Sequence, residues 1–192
     1  MKSDIILAGV GGQGILTIAY VLDNAALASG MNVKQSEVHG MSQRGGAVYT
    51  HIRISDDPIS SDLIGLGQAD FIVGVEPLEA IRYADYLCAK GHIISNTIPE
   101  VNIPNYPDLD AIHKEINNYS HTLFDAKELA KEAGSPRAQN IVLVGALSHF
   151  LPLEEKYYRQ FIEELFAKKG EKIVETNFRA FEMGRQIAGQ EG

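Results

Sequence analysis

Hydrophobic and polar positions divide this chain into short apolar runs and longer amphipathic ones, alternating over most of its length. Residues 4–10 are a compact run rich in Ile and Leu, the pattern of a buried strand, and residues 15–29 follow with Ala, Leu and Ile at helical spacing. A second strand is expected over 32–38. Residues 47–55 then alternate cleanly, Val48, Thr50, Ile52 and Ile54 facing one way and Tyr49, His51 and Arg53 the other. That alternation marks a half-buried strand, antiparallel or near a sheet edge. A central strand over 71–75 meets Glu76-Pro77, and Pro77 suits the first position of a helix expected to run to about residue 89. Cys88 would then be a core residue on that helix. Further strands are expected over 92–98 and 122–125, with helices over 108–119 and 126–133 and a proline-punctuated connection over 99–107. From Ser135 the pattern is all-helical: a small, apolar helix over 140–150, an amphipathic one over 154–169 with Tyr157, Phe161 and Leu165 on its stripe, and a last helix marked by Val174, Phe178 and Phe181.

This order predicts an α/β fold, a Rossmann-like, doubly wound and mostly parallel sheet with a C-terminal helical extension. One domain over 1–192 is expected, with the sheet in about 1–134 and the helical region in about 135–192.

The turn between the first strand and helix, Gly9-Val10-Gly11-Gly12-Gln13-Gly14, carries the first candidate chemistry. Gly9 would take the tight turn, Gly11 would let a ligand approach the backbone, and Gly14 would let helix and strand pack closely. Free N–H groups and the positive dipole end of the helix favour an anion there. The same glycines also serve a purely structural corner. A dinucleotide site would want an acid beyond the second strand, and Glu37, 23 residues past Gly14, stands at a workable spacing.

The loop from His39 to Gly46 is the most specific segment. Arg44 is a fixed cation whose five-donor fork suits carboxylate or phosphate. Gly45 and Gly46 free backbone N–H groups to face an anion or a partner, and His39 is a proton carrier near neutral pH. A solvated loop whose Arg44 pairs with Glu37 or an aspartate is the plain alternative. Glu76 and Glu79, at the end of the central strand, stand where ligands contact open α/β sheets or simply complement a helix N-terminus. Asn96 and Thr97 occupy a similar strand end.

Composition removes several classes. A net charge of −8, with no basic stripe, argues against nucleic acid. No apolar run is long enough to span a bilayer and no secretory signal is present, so a cytoplasmic protein without a membrane partner is expected. One cysteine excludes an intramolecular disulfide and a four-cysteine cluster on this chain. Histidine spacing shows no metal set, and neither a nucleophile elbow nor a lysine phosphate loop is present.

The Gly9–Gly14 turn, the 39–48 loop, Arg53-Ile54-Ser55, the 75–82 segment Val-Glu-Pro-Leu-Glu-Ala-Ile-Arg and the 140–147 segment Asn-Ile-Val-Leu-Val-Gly-Ala-Leu together resemble the gamma-type domain of the 2-oxoacid:ferredoxin oxidoreductases. The likeness runs over nearly the whole chain, and the 40–46 form Gly-Met-Ser-Gln-Arg-Gly-Gly is most similar to the indolepyruvate branch. The resemblance implies a subunit of an enzyme that oxidatively decarboxylates a 2-oxoacid to acyl-coenzyme A and carbon dioxide and reduces ferredoxin. It implies thiamine diphosphate, Mg²⁺ and [4Fe-4S] clusters on a partner alpha subunit, none on this chain, and coenzyme A as co-substrate. No catalytic or metal residue is expected here. Gly9, Gly11, Gly12, Gln13, Gly14, Glu37, His39, Arg44, Gly45 and Gly46 form the candidate ligand or partner surface. A stand-alone NAD(P)-binding oxidoreductase, or a structural binding module, would also account for the glycine turn.

Overall fold

A computed structural model describes residues 1–39 and 45–190, and of His39 the backbone alone. The chain builds β1 (Lys2–Val10), α1 (Ile15–Ala28), β2 (Asn32–His39), β3 (Ala47–Ser55), β4 (Ala69–Gly74), α2 (Pro77–Arg82) and β5 (Leu87–Asn96). It continues with α3 (Leu109–Ile116), β6 (Ser120–Phe124), α4 (Ala126–Glu132), α5 (Gln139–Phe150), α6 (Glu155–Phe166) and α7 (Glu171–Gln190). The six strands form one sheet in the order β2-β3-β1-β4-β5-β6. β1, β4, β5 and β6 run parallel, whereas β3 is antiparallel to both β1 and β2.

The two sheet faces are covered differently. On one face Ile5, Leu7, Ile52, Val73 and Ile94 pack with α1 and α5, and Tyr158 of α6 and Phe181 of α7 lie fully buried in the same core. On the other, Ile6, Ile72 and Ile93 pack with Ala80 of α2 and with Ile112 and Ile116 of α3. α1 presents Ile15, Ile18, Ala19, Leu22, Ala25 and Ala26 as one buried stripe. Each large side chain on it contributes about 1.5–3 kcal/mol on leaving water. The doubly wound arrangement follows from these two apolar faces.

α5 and α7 cross at glycines. A Cβ on Gly145 would lie 2.1 Å from the Phe181 carbonyl oxygen, and one on Gly184 would lie 2.0 Å from that of Val142. Only hydrogen at both positions lets the two backbones meet this closely. Buried residues of α5, α6 and α7 thus share one core with β1 and β3, which joins the helical region to the sheet.

Several expectations need correction. The helix after Pro77 stops at Arg82, a 3₁₀ turn covers Ala84–Tyr86, and β5 begins at Leu87, five residues before the expected His92. Cys88 is therefore a half-buried strand residue, not a core helical one. A parallel β5 must start at the opposite end of the sheet from where β4 stops, so the chain spends residues 83–86 returning instead of extending the helix. On α6 the fully buried positions are Tyr158 and Ile162, while Tyr157, Phe161 and Leu165 flank them at the boundary.

Candidate functional site at the carboxyl edge of the sheet

The roles expected of two glycines are exchanged. Gly9 lies inside β1, opposite Val48, and a Cβ there would fall 2.9 Å from Gln13 Oε1, 3.0 Å from Ile15 Cδ1 and 3.2 Å from Val75 Cβ. It is Gly9 that permits close packing of strand and helix. Gly14 takes the left-handed backbone, φ 76°, as the residue capping α1. Gly12, at φ 104°, also needs the freedom that glycine alone has.

The corner is tied from within. Gln13 closes a turn by donating its N–H to the Val10 carbonyl at 3.0 Å, and its Oε1 accepts the Val10 N–H at 2.8 Å. Asn140, at the start of α5, donates from Nδ2 to the carbonyls of Gln13 at 2.8 Å and Gly14 at 3.1 Å. Gln13 Oε1 is therefore committed to the fold. Gly11 donates to the Gly46 carbonyl at 2.8 Å, and Gly45 donates to the Gly11 carbonyl at 3.4 Å. These bonds carry the β1–β3 ladder into the loop and set Gly45 (φ 76°) and Gly46 beside the glycine turn.

Two clefts open against the turn. One, about 250 Å³, is lined by Gly11, Gly12, Gly14 and Leu16 together with Glu37 and Val48. The other, about 360 Å³, is lined by Gly11, Gly12, Gln13 and Gly45 with Glu100 and Asn102 of the connection after β5. Asn102 Nδ2 donates to the Gly45 carbonyl at 2.8 Å. The fold thus brings Gly11, Gly12, Gln13, Gly14, Glu37, Gly45 and Gly46 to one rim. The His39 side chain and Arg44 lie outside the described residues. No side chain caps the first turn of α1, and Leu16 within that turn is 57% exposed. Val38, Ile98 and Val101 are further exposed apolar residues at this edge.

Glu37 does not stand where a dinucleotide fold would need it. In that fold the acid ends the strand next to β1. Here β3 is inserted: Glu37 pairs with Thr50, which pairs with Leu7, so the acid sits two strands from β1, about 10 Å.

Behind the rim lies a buried carboxylate knot. Glu76 is fully buried, caps α2 by accepting the Glu79 N–H, and accepts from the Tyr106 hydroxyl at 2.6 Å and the Glu100 N–H at 3.4 Å. Glu79 is also buried, without hydrogen-bonded oxygens, although Arg82 Nε lies 3.1 Å from one of them. Burial pushes the Glu79 carboxyl up to about 7 against the opposing pull of Arg82. Burial, then its bond to Glu76, raises Tyr106 well above the usual phenol. Asn96 ties β5 to its neighbours, donating to the Val75 carbonyl at 3.3 Å and accepting the Ala126 N–H at 3.1 Å. Glu76, through Glu100 and Tyr106, and Asn96, through the Ile98 carbonyl, hold the 97–108 connection in place. The sequence assigns no role to Glu100, Asn102 or Tyr106, nor to Asn140 beyond its place at the head of the 140–147 segment. Only the position of Asn140, a polar residue heading an apolar helix, offered a signal.

Among the described residues this rim is a backbone-lined, partly apolar edge with two acids, Glu37 and Glu100. Among the described residues no group of three His, Cys, Asp or Glu side chains could hold a metal, and the chain's one cysteine does not fit a four-cysteine cluster. No helix is long and apolar enough to cross a membrane among the described residues.

The profile of the pyruvate ferredoxin/flavodoxin oxidoreductase family matches residues 4–187. An indolepyruvate oxidoreductase subunit IorB of Thermococcus kodakarensis is 39% identical, over 96% of this chain and 95% of that one. Two solved structures share the fold. The gamma subunit of a keto/oxoacid ferredoxin oxidoreductase from Geobacter sulfurreducens superposes with a TM-score of 0.72 at 23% identity, covering 98% of this chain and 99% of its own. The 2-oxoglutarate:ferredoxin oxidoreductase of Magnetococcus marinus, solved with 2-oxoglutarate, coenzyme A and succinyl-CoA bound, gives 0.79 at 21% identity, over 98% of this chain and 31% of that one. With an end-to-end relative of such identity and a family profile spanning nearly every residue, this chain belongs to the pyruvate ferredoxin/flavodoxin oxidoreductase family.

Proposed function

We propose that this chain is the non-thiamine subunit of an indolepyruvate:ferredoxin oxidoreductase. The observation that carries the reading is the 39% identity to an indolepyruvate oxidoreductase subunit across essentially the full length of both chains. The reaction would oxidatively decarboxylate the 2-oxoacid, pass two electrons to ferredoxin and deliver the acyl group to coenzyme A. Thiamine diphosphate with Mg²⁺ and the iron–sulfur clusters would reside on the alpha subunit, and the complex would work in the cytoplasm. The isolated chain would then be colourless and inactive.

Within that complex, residues 1–192 act as one domain whose carboxyl edge meets the alpha subunit. Gly11, Gly12 and Gly14 keep the rim low enough for another chain or for coenzyme A to approach the backbone. Leu16, Val38, Ile98 and Val101 supply apolar area that assembly would remove from water. Arg44, with His39 and Glu37, supplies the charged contacts, Arg44 toward a carboxylate or phosphate. A stand-alone NAD(P) enzyme is disfavoured by the two-strand offset of Glu37.

Reconstitution tests the reading. The chain is to be combined with its alpha subunit, and coenzyme A-dependent dye reduction measured with indolepyruvate, pyruvate and 2-oxoglutarate. Turnover that needs both chains and is fastest with indolepyruvate is the expected result. Equal turnover by the alpha subunit alone would remove this chain from the active assembly, and a preference for 2-oxoglutarate would overturn the substrate.

A further inference from the structure

A third cleft lies away from the glycine rim, between the 3₁₀ turn Pro136–Ala138 and the start of α7, closed on one side by the 3₁₀ turn Ala167–Lys169. It holds about 270 Å³ and is more enclosed than the clefts at either edge of the sheet. In a chain of net charge −8, its wall includes two cations, Arg137 and Lys169, and no acid. Neither forms an ion pair among the described residues, whereas eight other cationic side chains do. Lys168 and Lys172, beside Lys169 in sequence, are also without ion pairs among the described residues. The acids nearby in sequence, Glu171 and Glu175, are exposed on α7 and do not line the cleft.

Neutral donors share the wall with these charges. Ser135 Oγ accepts the Arg137 N–H at 3.3 Å, which leaves its own O–H to donate elsewhere. Asn177 is 4% exposed and spends one amide N–H on the Ile173 carbonyl at 2.8 Å, leaving the second without a partner among the described residues. Phe166 and Ile173 form the apolar part of the wall, and Lys169 lies 5.2 Å from the centre of the Phe166 ring. Two cations, a hydroxyl and an amide N–H around an apolar surface make a lining with several donors and no anion; its neutral acceptors are Asn177 Oδ1 and the Ser135 and Thr176 hydroxyls. That combination recognises a doubly charged anion carried on a small apolar body.

We propose that this cleft between the Pro136–Ala138 turn and α7 binds an organic phosphate monoester, with the phosphate held by Arg137 and Lys169 and the organic group against Phe166 and Ile173. Ser135 and Asn177 complete the phosphate's hydrogen bonds. The site owes nothing to the reading of the glycine rim, so the two can fail separately.

Calorimetric titration of the full chain with phenyl phosphate, inorganic phosphate and phenol provides the test. One equivalent of phenyl phosphate should bind, at least tenfold more tightly than either inorganic phosphate or phenol. Arg137→Ala and Lys169→Ala should each weaken it about tenfold or more, Arg137→Lys should recover part of the loss, and Lys90→Ala, on β5, should leave it unchanged. Thermal unfolding of the same variants identifies any that fail to fold. Absence of saturable binding would overturn the proposal. So would inorganic phosphate binding as tightly as phenyl phosphate, or equal losses in Lys90→Ala and Arg137→Ala.

Discussion

The two ends of the central strands are built on opposite principles. At the amino edge the fully buried Asp4 receives Arg53 through both Nε (2.8 Å) and Nη2 (3.0 Å), and Lys2 Nζ lies 2.6 Å away. The remaining guanidinium nitrogen of Arg53 donates to the carbonyls of Ser61 and Leu63, both at 3.1 Å, and the Asp4 N–H donates to Asp70 at 2.8 Å. The charges of Asp4, Arg53 and Lys2 are paired there, and Arg53 fastens the loop at Ser61 and Leu63. At the carboxyl edge the helix cap is a bare left-handed glycine, backbone lines the clefts, and Leu16, Val38, Ile98 and Val101 stand in water. One end ties its strands together through charge, although a cleft of about 450 Å³ and the exposed Leu63 and Leu66 also lie there. The other leaves surface that a partner would use. The shared strands carry both, because polar satisfaction at one edge fixes the register on which the open edge depends.

Breaking the charge-tied end should have the largest effect. Asp4→Ala leaves Arg53 largely buried without its carboxylate, a loss of about 3–5 kcal/mol. At roughly 2–4 °C per kcal/mol for a chain of this size, the melting temperature should fall by about 10 °C. A fall under about 2 °C in calorimetry would mean that Asp4 does not organise that edge. The open end should be less sensitive. Gly14→Val forces a β-branched residue into φ 76° and sets its Cβ 2.7 Å from Asn140 Nδ2, costing roughly 2–3 kcal/mol. Denaturant unfolding measures it, and a loss no greater than that of an exposed substitution would contradict the left-handed cap.

The comparison also sets what the sequence could reveal. The glycine turn, its flanking strand and helix, and the alternation of β3 are local patterns with a fixed period, and they are legible. The antiparallel sense of β3 was one of two readings that alternation allowed; its place between β1 and β2 depends on long-range pairing and was not visible. The Asp4–Arg53 pair spans 49 residues and follows no period. The end of α2 at Arg82 was missed because residues 83–89 keep an apolar composition while the chain turns back to begin β5. At the site, Gly9 and Gly14 were both recognised and their roles exchanged, since which glycine needs positive φ depends on where the strand stops. Asn140 reaches the turn from 126 residues away, and no motif in the turn announces it.

Smaller effects sharpen the contrast. Glu79 lies behind the open edge with its carboxyl raised to about 7 from an ordinary 4.5, by burial first. Between those values the folded chain holds a proton that the unfolded chain releases, so stability should fall as pH rises from about 4.5 to 7 and level off above. Asp23, raised by burial to about 7, contributes with the same sign. Glu79→Gln should flatten part of this slope and gain stability at pH 8 relative to pH 5; an unchanged slope in urea unfolding across that range would remove Glu79 as its source. Smallest of all for the free chain is Arg44→Ala, at less than about 0.5 kcal/mol. In the complex the same change should weaken subunit affinity or raise the KM for coenzyme A, by up to about a hundredfold if a charge-assisted pair is lost. Unchanged values of both would leave Arg44 a solvated charge.

Hydrogen–deuterium exchange of the chain, alone and with its alpha subunit, compares the two ends directly. The account predicts new protection at residues 10–16, 37–46 and 98–102, with residues 1–4 and 55–66 exchanging as before. Protection confined to the Met1 and Asp56 end, with the glycine rim unchanged, would contradict it.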